Sequence, residues 1–357
     1  MKADFTKKLM KWSLDLNTRS MPWKGEKDPY KIWLSEIILQ QTRVEQGLSY
    51  YQRFIEAFPT IKALAAAPEK KVFKLWEGLG YYTRCKNLIA TAAFISNEKK
   101  GVFPADYESI LSLKGIGPYT AAAIASFAFN LPYAVTDGNV LRVLSRYFGI
   151  STPIDNNAGK KIYNLLAFEL LDKQQPGLYN QAIMDFGAVI CKPQQPLCAQ
   201  CPQKQDCQAL QLQTIKELPV KEKQLKKKSR WLYYFIVQIK GSVLVRKRTS
   251  KDIWENLYEF VLYEADELLD PGKKTLDRIV KKIMDKQVVS IKNISPVFRQ
   301  QLTHQTIIGQ FIELEADAVP ATLKNYELVK NARLVNYPFP KFITAYLQQQ
   351  SKPMQLF

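Results

Sequence analysis

The sequence predicts an all-α domain followed by a smaller α+β domain, and three observations lead to that fold class. Residues 1 to about 212 show apolar residues three and four positions apart, with no strand-like alternation of any length. From residue 231 onward the apolar period changes to two. Between these regions, "TIKELPVKEKQLKKKSR" is rich in basic residues and offers little that could form a core. We therefore predict a helical domain over 1–212, a basic linker over 213–230 and an α+β domain over 231–357.

Composition favours a globular protein with a polyanionic partner. The chain has 357 residues, a net charge of +18, and 18 Tyr and 18 Phe residues, a mixture typical of nucleic-acid binding. A solvated basic face without a ligand would give the same charge. Because no signal-peptide pattern and no stretch of about 18 apolar residues appears, we expect a cytoplasmic protein without membrane association, located at the nucleoid through DNA binding. We also expect a monomer.

The stretch "IWLSEIILQQTR", residues 32–43, sets a single carboxylate, Glu36, among Ile, Leu and Trp. On a helix, Glu36, Gln40 and Arg43 fall at i, i+4 and i+7 and share one stripe. A solvent-facing polar stripe is one interpretation. The other is a catalytic acid, because apolar surroundings raise the pKa of a carboxyl group.

Two further motifs combine a turn with the start of a helix. In "LSLKGIGPYTAAAIASFAF", Gly115 and Gly117 flank a turn before Pro118, so free N–H groups at the helix start could bind a phosphate. An ordinary helix turn explains the same letters. In "YAVTDGNVLRVLSR", Asp137 precedes a new helix, where it is either a cap or an ionised carboxylate held by N–H donors.

Four of the five cysteines fall in "CKPQQPLCAQCPQKQDC", which is too dense for unrelated buried thiols. These four thiols, at Cys191, Cys198, Cys201 and Cys207, could bind one tetrahedral zinc ion or one iron-sulfur cluster. The fifth, Cys85, is predicted to be a partly buried free thiol.

The second half is predicted to contain strands and two helices. "WLYYFIVQIKGSVLVRKR" predicts a hairpin turning at Gly241-Ser242, and "IIGQFIELEA" and "YELVKNARLV" predict further strands. "KKTLDRIVKKIMDKQ" and "PKFITAYLQQQ" predict helices.

Five motifs in this order, "LSEIILQQT", "EGLGYY", "LKGIGPYTAAAI", "VTDGNVLRVLSR" and the four-cysteine loop, resemble the helix-hairpin-helix DNA glycosylases. The resemblance runs over nearly all of residues 20–210, and the nearest branch is the one that excises adenine. It implies a six-helix-barrel part at about 23–132 and an iron-sulfur part formed by 1–22 with 133–212. It also implies one [4Fe-4S] cluster on Cys191, Cys198, Cys201 and Cys207.

The activity implied by this resemblance is hydrolysis of the N-glycosidic bond of adenine mispaired with 8-oxoguanine or guanine in double-stranded DNA. Glu36 would be the general acid, Asp137 would stabilise or trap the oxocarbenium ion, and Asn139 would support the water or the sugar. Tyr119 stands where strand-cleaving relatives have a lysine, which implies a monofunctional enzyme. Gly115 and Gly117 would anchor the DNA backbone.

The resemblance further implies residues that bind the target base and its partner. Trp23, Leu39 and Gln181 would line the adenine pocket, whereas Gln41 and Tyr81 would fill and wedge the base stack. Lys24 stands where this family has Gln or Arg.

The second domain is similar to the Nudix hydrolases and would check the opposite base for 8-oxoguanine. Leu302, Thr303 and His304 match the family's Phe-Ser-His loop, with Leu in place of Phe. A lone histidine is also compatible with an ordinary surface residue. The Glu-rich hydrolase motif is absent from "KKTLDRIVKKIMDKQ", so we expect no pyrophosphate cleavage. The remaining alternatives are a thymine mismatch glycosylase and a non-catalytic iron-sulfur DNA-binding protein.

Overall fold

A computed structural model describes residues 2–222, 227–269, 273–285, 287 and 289–350. The chain forms two compact units, Met1–Ala66 with Asn87–Gln224, and Ala67–Lys86 with Leu225–Phe357. This division differs from the sequence-based one because the segment 67–86 belongs with the second unit.

The first unit is helical, as the sequence predicts, and no strand lies in its described residues. Its helices are α1 (Lys2–Asp15), α2 (Pro29–Leu39), α3 (Val44–Ala57), α4 (Ile61–Ala66), α6 (Tyr82–Glu98), α7 (Tyr107–Leu111), α8 (Pro118–Phe129), α9 (Gly138–Phe148), α10 (Asn157–Leu170), α11 (Pro176–Val189) and α12 (Gln208–Gln211), with a 3-10 turn at Cys198–Gln200. The first residues of α6 lie in the segment 67–86, and α5 belongs to the second unit.

Local sequence signals fix where the functionally important helices begin. Asp28 caps α2 by accepting from the Tyr30 N–H, and Pro29 stands at its first position. Gly117 precedes Pro118 at the start of α8, and the αL residue Asn130 ends that helix. The helices α1, α9, α10 and α11 then bury a shared core of aromatic and aliphatic side chains.

The second unit is built on a mixed sheet and contains α5 (Glu69–Trp76) from the segment 67–86. Its other elements are β1 (Lys228–Ile239), β2 (Ser242–Lys247), β3 (Tyr258–Glu259), β4 (Val261–Ala265), α13 (Lys273–Ile283), β5 (Ser290–Ile294), β6 (Phe298–Gln301), β7 (Gln305–Glu315), β8 (Glu327–Lys330) and α14 (Lys341–Gln350), with 3-10 turns at Ala321–Leu323 and Asn331–Asn336. The strand order is β3-β2-β1-β7-β5, with β1 parallel to β7 and antiparallel to β2.

The centre of this sheet is covered on both faces. Residues of α13 pack with Phe235 and Val237 of β1, while Phe342 of α14 lies 5.5 Å, ring to ring, from Phe311 of β7. Because both faces are covered, residues 232–237 are all buried, and the sequence of β1 is an apolar run more than an alternation.

Most predicted elements of this unit are confirmed, with two adjustments. The hairpin turns at Lys240-Gly241, one residue earlier than predicted, because both residues adopt positive φ and Ser242 already begins β2. The strand predicted over "YELVKNARLV" is β8 only as far as Lys330, after which the chain forms a 3-10 turn. The linker prediction includes residues 223–226, which lie outside the described residues; β1 begins at Lys228, inside the predicted linker.

The segment 67–86 is fastened to the rest of its unit by polar contacts. Lys247 forms an ion pair with Glu69 at 2.6 Å, and Lys86 forms one with Glu255 at 2.8 Å. The Phe339 N–H donates to Glu77 at 2.7 Å. These contacts explain why the segment clusters with the sheet.

No helix within the described residues is long and apolar enough to cross a membrane.

Candidate active site

The helical unit contains a cavity of about 580 Å³ bounded by α2, α8, α11 and the first turn of α9. This volume is within the usual range of small-molecule sites. The cavity brings together eight of the residues expected at the site, namely Trp23, Glu36, Leu39, Gln41, Tyr119, Asp137, Asn139 and Gln181.

Glu36 lies in the wall of this cavity and is only 8% exposed. The solvent-facing interpretation is therefore wrong, and the proposed stripe does not form, because α2 ends at Leu39 and Arg43 is the cap of α3. No salt bridge joins Glu36 to a cation in the described part of the chain. The pKa of Glu36 is raised to about 7, chiefly by burial; a hydrogen bond with Tyr119 opposes this rise, and the negative charge of Asp137 adds to it.

The Tyr119 side chain from α8 faces Glu36 and also lies 3.5 Å, hydroxyl to Sδ, from Met184. Burial raises the pKa of the Tyr119 hydroxyl well above its ordinary value, and the charge of Glu36 adds to this effect. Tyr119 is therefore a protonated hydrogen-bond donor at neutral pH.

Asp137 is the N-cap of α9, as the sequence suggested. Its Oδ1 accepts the N–H groups of Asn139 at 2.9 Å and Val140 at 2.8 Å, and its Oδ2 accepts from the Asn139 side chain at 2.7 Å. Burial nevertheless raises the pKa of Asp137 above its ordinary value, and these hydrogen bonds oppose the increase. The cap thus fixes the carboxyl group at the cavity wall.

The two carboxyl groups differ in their surroundings. Glu36 lies among apolar side chains with one hydroxyl donor, whereas Asp137 receives three N–H donors and the favourable field of a helix start. Such a pair can hold one proton and one negative charge close to the same ligand, which is the requirement of acid-catalysed glycosidic cleavage.

Family comparisons match both units. Residues 34–166 match the HhH-GPD superfamily base excision DNA repair protein family, and residues 232–349 match the NUDIX domain. An adenine DNA glycosylase of Buchnera aphidicola subsp. Baizongia pistaciae is 34% identical over 310 residues, which cover 85% of this chain and 84% of that protein. The chain belongs to the adenine DNA glycosylase family. It is an adenine-specific DNA N-glycosylase of base excision repair.

Solved structures share the helical fold of this adenine DNA glycosylase. A thermostable thymine-DNA glycosylase is 29% identical with a TM-score of 0.55, and the match covers 59% of this chain and 97% of that chain. An endonuclease III in a non-covalent DNA complex is 20% identical with a TM-score of 0.52, and the match covers 60% of this chain and 98% of that chain.

The hairpin before α8 has the geometry that the glycines suggested. Gly115 has φ +81°, and a Cβ there would come within 2.6 Å of the Asn87 side chain. A Cβ on Gly117 would meet nothing within 4 Å, and both glycines are exposed. The N-terminus of α8 in this adenine DNA glycosylase is thus open to a ligand.

The loop expected to read the opposite base lies between β6 and β7 in the second unit. Thr303 and His304 are exposed at its tip, and the Leu302 N–H donates to the Gln305 carbonyl at 2.8 Å. The Thr303 hydroxyl is hydrogen-bonded with that of Tyr81, which belongs to the same unit. The structure thus joins two residues that sequence reasoning had assigned to separate roles.

The four clustered cysteines lie on a loop after α11, at half-buried positions, and none forms a disulfide. Zinc in a four-cysteine site needs all four sulfur atoms about 2.3 Å from one point. Among the described side chains, no group of three or more His, Cys, Asp or Glu residues is arranged to hold a metal ion. Cys85 is fully buried, more than the partial burial expected from the sequence, and burial raises the pKa of its thiol.

Two buried arginines of α9 hold the cysteine loop by its carbonyl groups. Arg146 donates to the carbonyls of Lys192 at 2.7 Å and Pro193 at 3.1 Å, and its guanidinium lies 3.6 Å from Cys191 Sγ. Arg142 donates to the Cys191 carbonyl at 2.7 Å. Since Arg142 also donates to Asn139 Oδ1 at 2.9 Å, hydrogen bonds connect the loop to the Asp137 cap.

Sequence reasoning missed the fully buried Asp185 of α11 and its partner Arg19, which lines the cavity. Lys24 also pairs with Asp185, at 3.1 Å. The signal that identified Glu36, a single carboxylate in an apolar run, is present in "YNQAIMDFG" too.

Proposed function

We propose that this enzyme excises adenine mispaired with 8-oxoguanine or guanine, with Glu36 as the general acid. The observation that carries the proposal is the burial of Glu36 in the cavity with no cationic partner among the described residues; burial raises its pKa to about 7. Adenine leaves deoxyribose poorly as an anion, so a proton must reach a ring nitrogen before or during bond cleavage. A carboxyl group with this pKa is substantially protonated at neutral pH.

Asp137 and Asn139 are proposed to act on the sugar. When the N-glycosidic bond breaks, its electrons go to the protonated base and the sugar gains oxocarbenium character. The carboxylate of Asp137 stabilises or traps that positive charge, and a water molecule then completes hydrolysis. The Asn139 side chain holds Asp137 Oδ2 at 2.7 Å and would orient the carboxylate toward the sugar.

We further propose that the enzyme is monofunctional. A strand-cleaving glycosylase needs an amine that forms a Schiff base with the sugar, and Tyr119 supplies only a hydroxyl. Borohydride added during turnover should therefore trap no stoichiometric covalent complex. A trapped complex would show that another amine performs this step.

DNA contacts are proposed at four places. The open helix start beyond Gly117 would receive a backbone phosphate, and the exposed Gln41, with φ +56°, would enter the base stack. The loop of Leu302, Thr303 and His304 would contact the base opposite the target, and Tyr81, whose hydroxyl is bonded to that of Thr303, would wedge the base stack. Trp23, Leu39 and Gln181 would enclose the adenine.

We propose that Cys191, Cys198, Cys201 and Cys207 hold one [4Fe-4S] cluster. The donor chemistry fits, because four thiols without disulfides lie on one loop and Arg146 lies beside the first of them. When bound, such a cluster cross-links the loop and supplies a redox-active iron site. The residues of α9 orient the loop through the carbonyl contacts described above.

A single-turnover assay tests the whole proposal. Purified enzyme is mixed with duplexes that carry adenine opposite 8-oxoguanine, adenine opposite guanine, and thymine opposite guanine. We expect excision of adenine from the first two and none of thymine from the third. Release of thymine alone would replace the proposal with the thymine mismatch alternative, and release of neither base would refute the catalytic assignment.

A further inference from the structure

Asp185 is a fully buried carboxylate behind the cavity wall that accepts three hydrogen bonds and forms an ion pair with a lysine. Its Oδ1 accepts from the Arg19 guanidinium at 2.8 Å and from Gln181 Nε2 at 3.0 Å. Its Oδ2 accepts from Asn17 Nδ2 at 2.9 Å and forms an ion pair with Lys24 Nζ at 3.1 Å. Each oxygen is engaged by a cation and an amide, so the carboxylate cannot rotate without losing contacts on both sides.

This arrangement dictates which end of the Gln181 amide faces Asp185. A carboxylate with these cationic partners only accepts hydrogen bonds, so Gln181 must direct its NH2 group toward it. Gln181 stands one helical turn before Asp185 on α11 and lines the cavity. Among the described residues, none donates a hydrogen bond to Gln181 Oε1. The carbonyl end of the amide is therefore available to a ligand.

We propose that Asp185 is a positioning residue that fixes the Gln181 amide with its oxygen toward the target base, and so selects a purine with an amino group at C6. The inference rests on the proposed function, which places Gln181 at the adenine site. Adenine presents an N–H donor at C6, whereas hypoxanthine and guanine present an acceptor there. If Gln181 Oε1 faces the oxygen at C6 of hypoxanthine or guanine in a closed pocket, neither acceptor receives a hydrogen bond. This loss disfavours binding of the wrong base.

The selectivity test uses duplexes that carry either adenine or hypoxanthine opposite 8-oxoguanine. The measured quantity is the ratio of the two single-turnover excision rates, because the different leaving abilities of the bases cancel between variants. We expect the wild-type enzyme to prefer adenine and Asp185→Asn to lower the ratio about tenfold, the value of roughly one hydrogen bond. An asparagine at position 185 can donate through its own NH2 group. The Gln181 amide can then accept through its oxygen and rotate its NH2 group toward the base.

A rescue variant separates this role from a merely structural one. This variant combines Asp185→Asn with Gln181→Glu. The new carboxylate at position 181 accepts a hydrogen bond from the new amide at position 185 through one oxygen, and its other oxygen faces the base. The preference for adenine should return toward the wild-type ratio. A general loss of stability at Asp185 would not be repaired by a change at residue 181, and thermal unfolding of each variant provides the control.

A variant at Gln181 alone decides the matter if Asp185→Asn does not fold. Gln181→Met removes both the acceptor and the NH2 group that faces Asp185, and should lower the ratio. An unchanged ratio in Gln181→Met, or in a folded Asp185→Asn, would overturn the inference while leaving adenine excision intact. Failure of the wild-type enzyme to excise adenine would instead refute the proposed function.

Discussion

Glu36 in the helical unit and Glu259 in the sheet unit are both buried carboxylates, but their partners differ. Glu259 is 2% exposed and accepts from Arg248 and, at 2.9 Å, from Arg246. Glu36 is 8% exposed and has a tyrosine hydroxyl and the neighbouring Asp137. A buried charge with cationic partners stabilises a fold only while the partners remain, whereas a buried carboxyl without them holds a proton.

The comparison teaches how to separate a structural carboxylate from a chemical one. Burial alone does not distinguish Glu36 from Glu259, and neither does the local apolar sequence. The distinguishing feature is whether a cation of the same unit faces the carboxyl group. Asp185 resembles Glu259 in this respect, since Arg19 and Lys24 face it, and this is why we assign it a positioning role and no proton transfer.

The largest expected effect follows from removing the proton at Glu36. Glu36→Gln should lower the single-turnover excision rate by roughly 10²–10⁴-fold, the usual contribution of a general acid, while duplex binding persists. The matched control is Glu169→Gln, an exposed carboxylate of α10 that pairs with Lys2. Excision by Glu36→Gln at the wild-type rate would contradict the acid role.

The corresponding change in the sheet unit should affect stability instead. Glu259→Gln removes one of the two carboxylates that pair with the buried Arg248, the other being Asp252, so the free energy of unfolding should fall by about 1–3 kcal/mol. Urea denaturation measures this value, with Glu264→Gln at an exposed ion pair as the control. If both variants lose the same small amount, Glu259 does not differ from a surface residue.

The stability of the helical unit should depend on pH through Glu36. The pKa of Glu36 is 4.5 when unfolded and about 7 when folded, so the folded state binds more protons between these values. The stabilisation is therefore complete below pH 4.5 and is lost as pH rises through 7, by roughly 3 kcal/mol for this group. Urea denaturation of wild type and Glu36→Gln at about pH 5 and about pH 8, followed by helical circular dichroism, should show the larger decrease in wild type. Equal decreases would assign the pH dependence to other groups.

The excision rate should follow the same titration. If Glu36 acts in its protonated form, the single-turnover rate should fall about tenfold per pH unit above about 7. The residual rate of Glu36→Gln should show no such fall over this range. A wild-type rate that stays level up to about pH 9 would disagree with the pKa of Glu36 as the controlling value.

The smallest expected effect concerns the opposite base. Changing Thr303 and His304 together to alanine removes the hydroxyl that bonds to Tyr81 and the only imidazole of the chain. We expect the preference for 8-oxoguanine over guanine to fall by about tenfold or less, with the excision step preserved. Parallel single-turnover assays on the two mispairs measure this, and an unchanged preference would remove the loop from recognition.

The sequence predicts the fold class well, because helix starts and glycine turns are local signals, whereas most residues of the cavity followed from the resemblance to a known family. Pro118 and Asp137 each mark a predicted helix start that the structure retains. The burial of Glu36 and the network of Asp185 were not predictable in this way. Both depend on which helices pack together, and a carboxylate in an apolar run is compatible with either a solvated or a buried face. The Tyr81–Thr303 hydrogen bond joins residues 222 positions apart, which no local pattern encodes.

The attachment of the segment 67–86 to the sheet unit has a consequence for how this protein can be recombined. A chimera that exchanges residues 227–350 for another domain of the same fold would also need new partners for Glu69, Glu77 and Lys86. The inherited module is therefore discontinuous in sequence. When the helical unit and the sheet unit diverge in evolution, substitutions at these three positions should therefore accompany substitutions in the sheet unit.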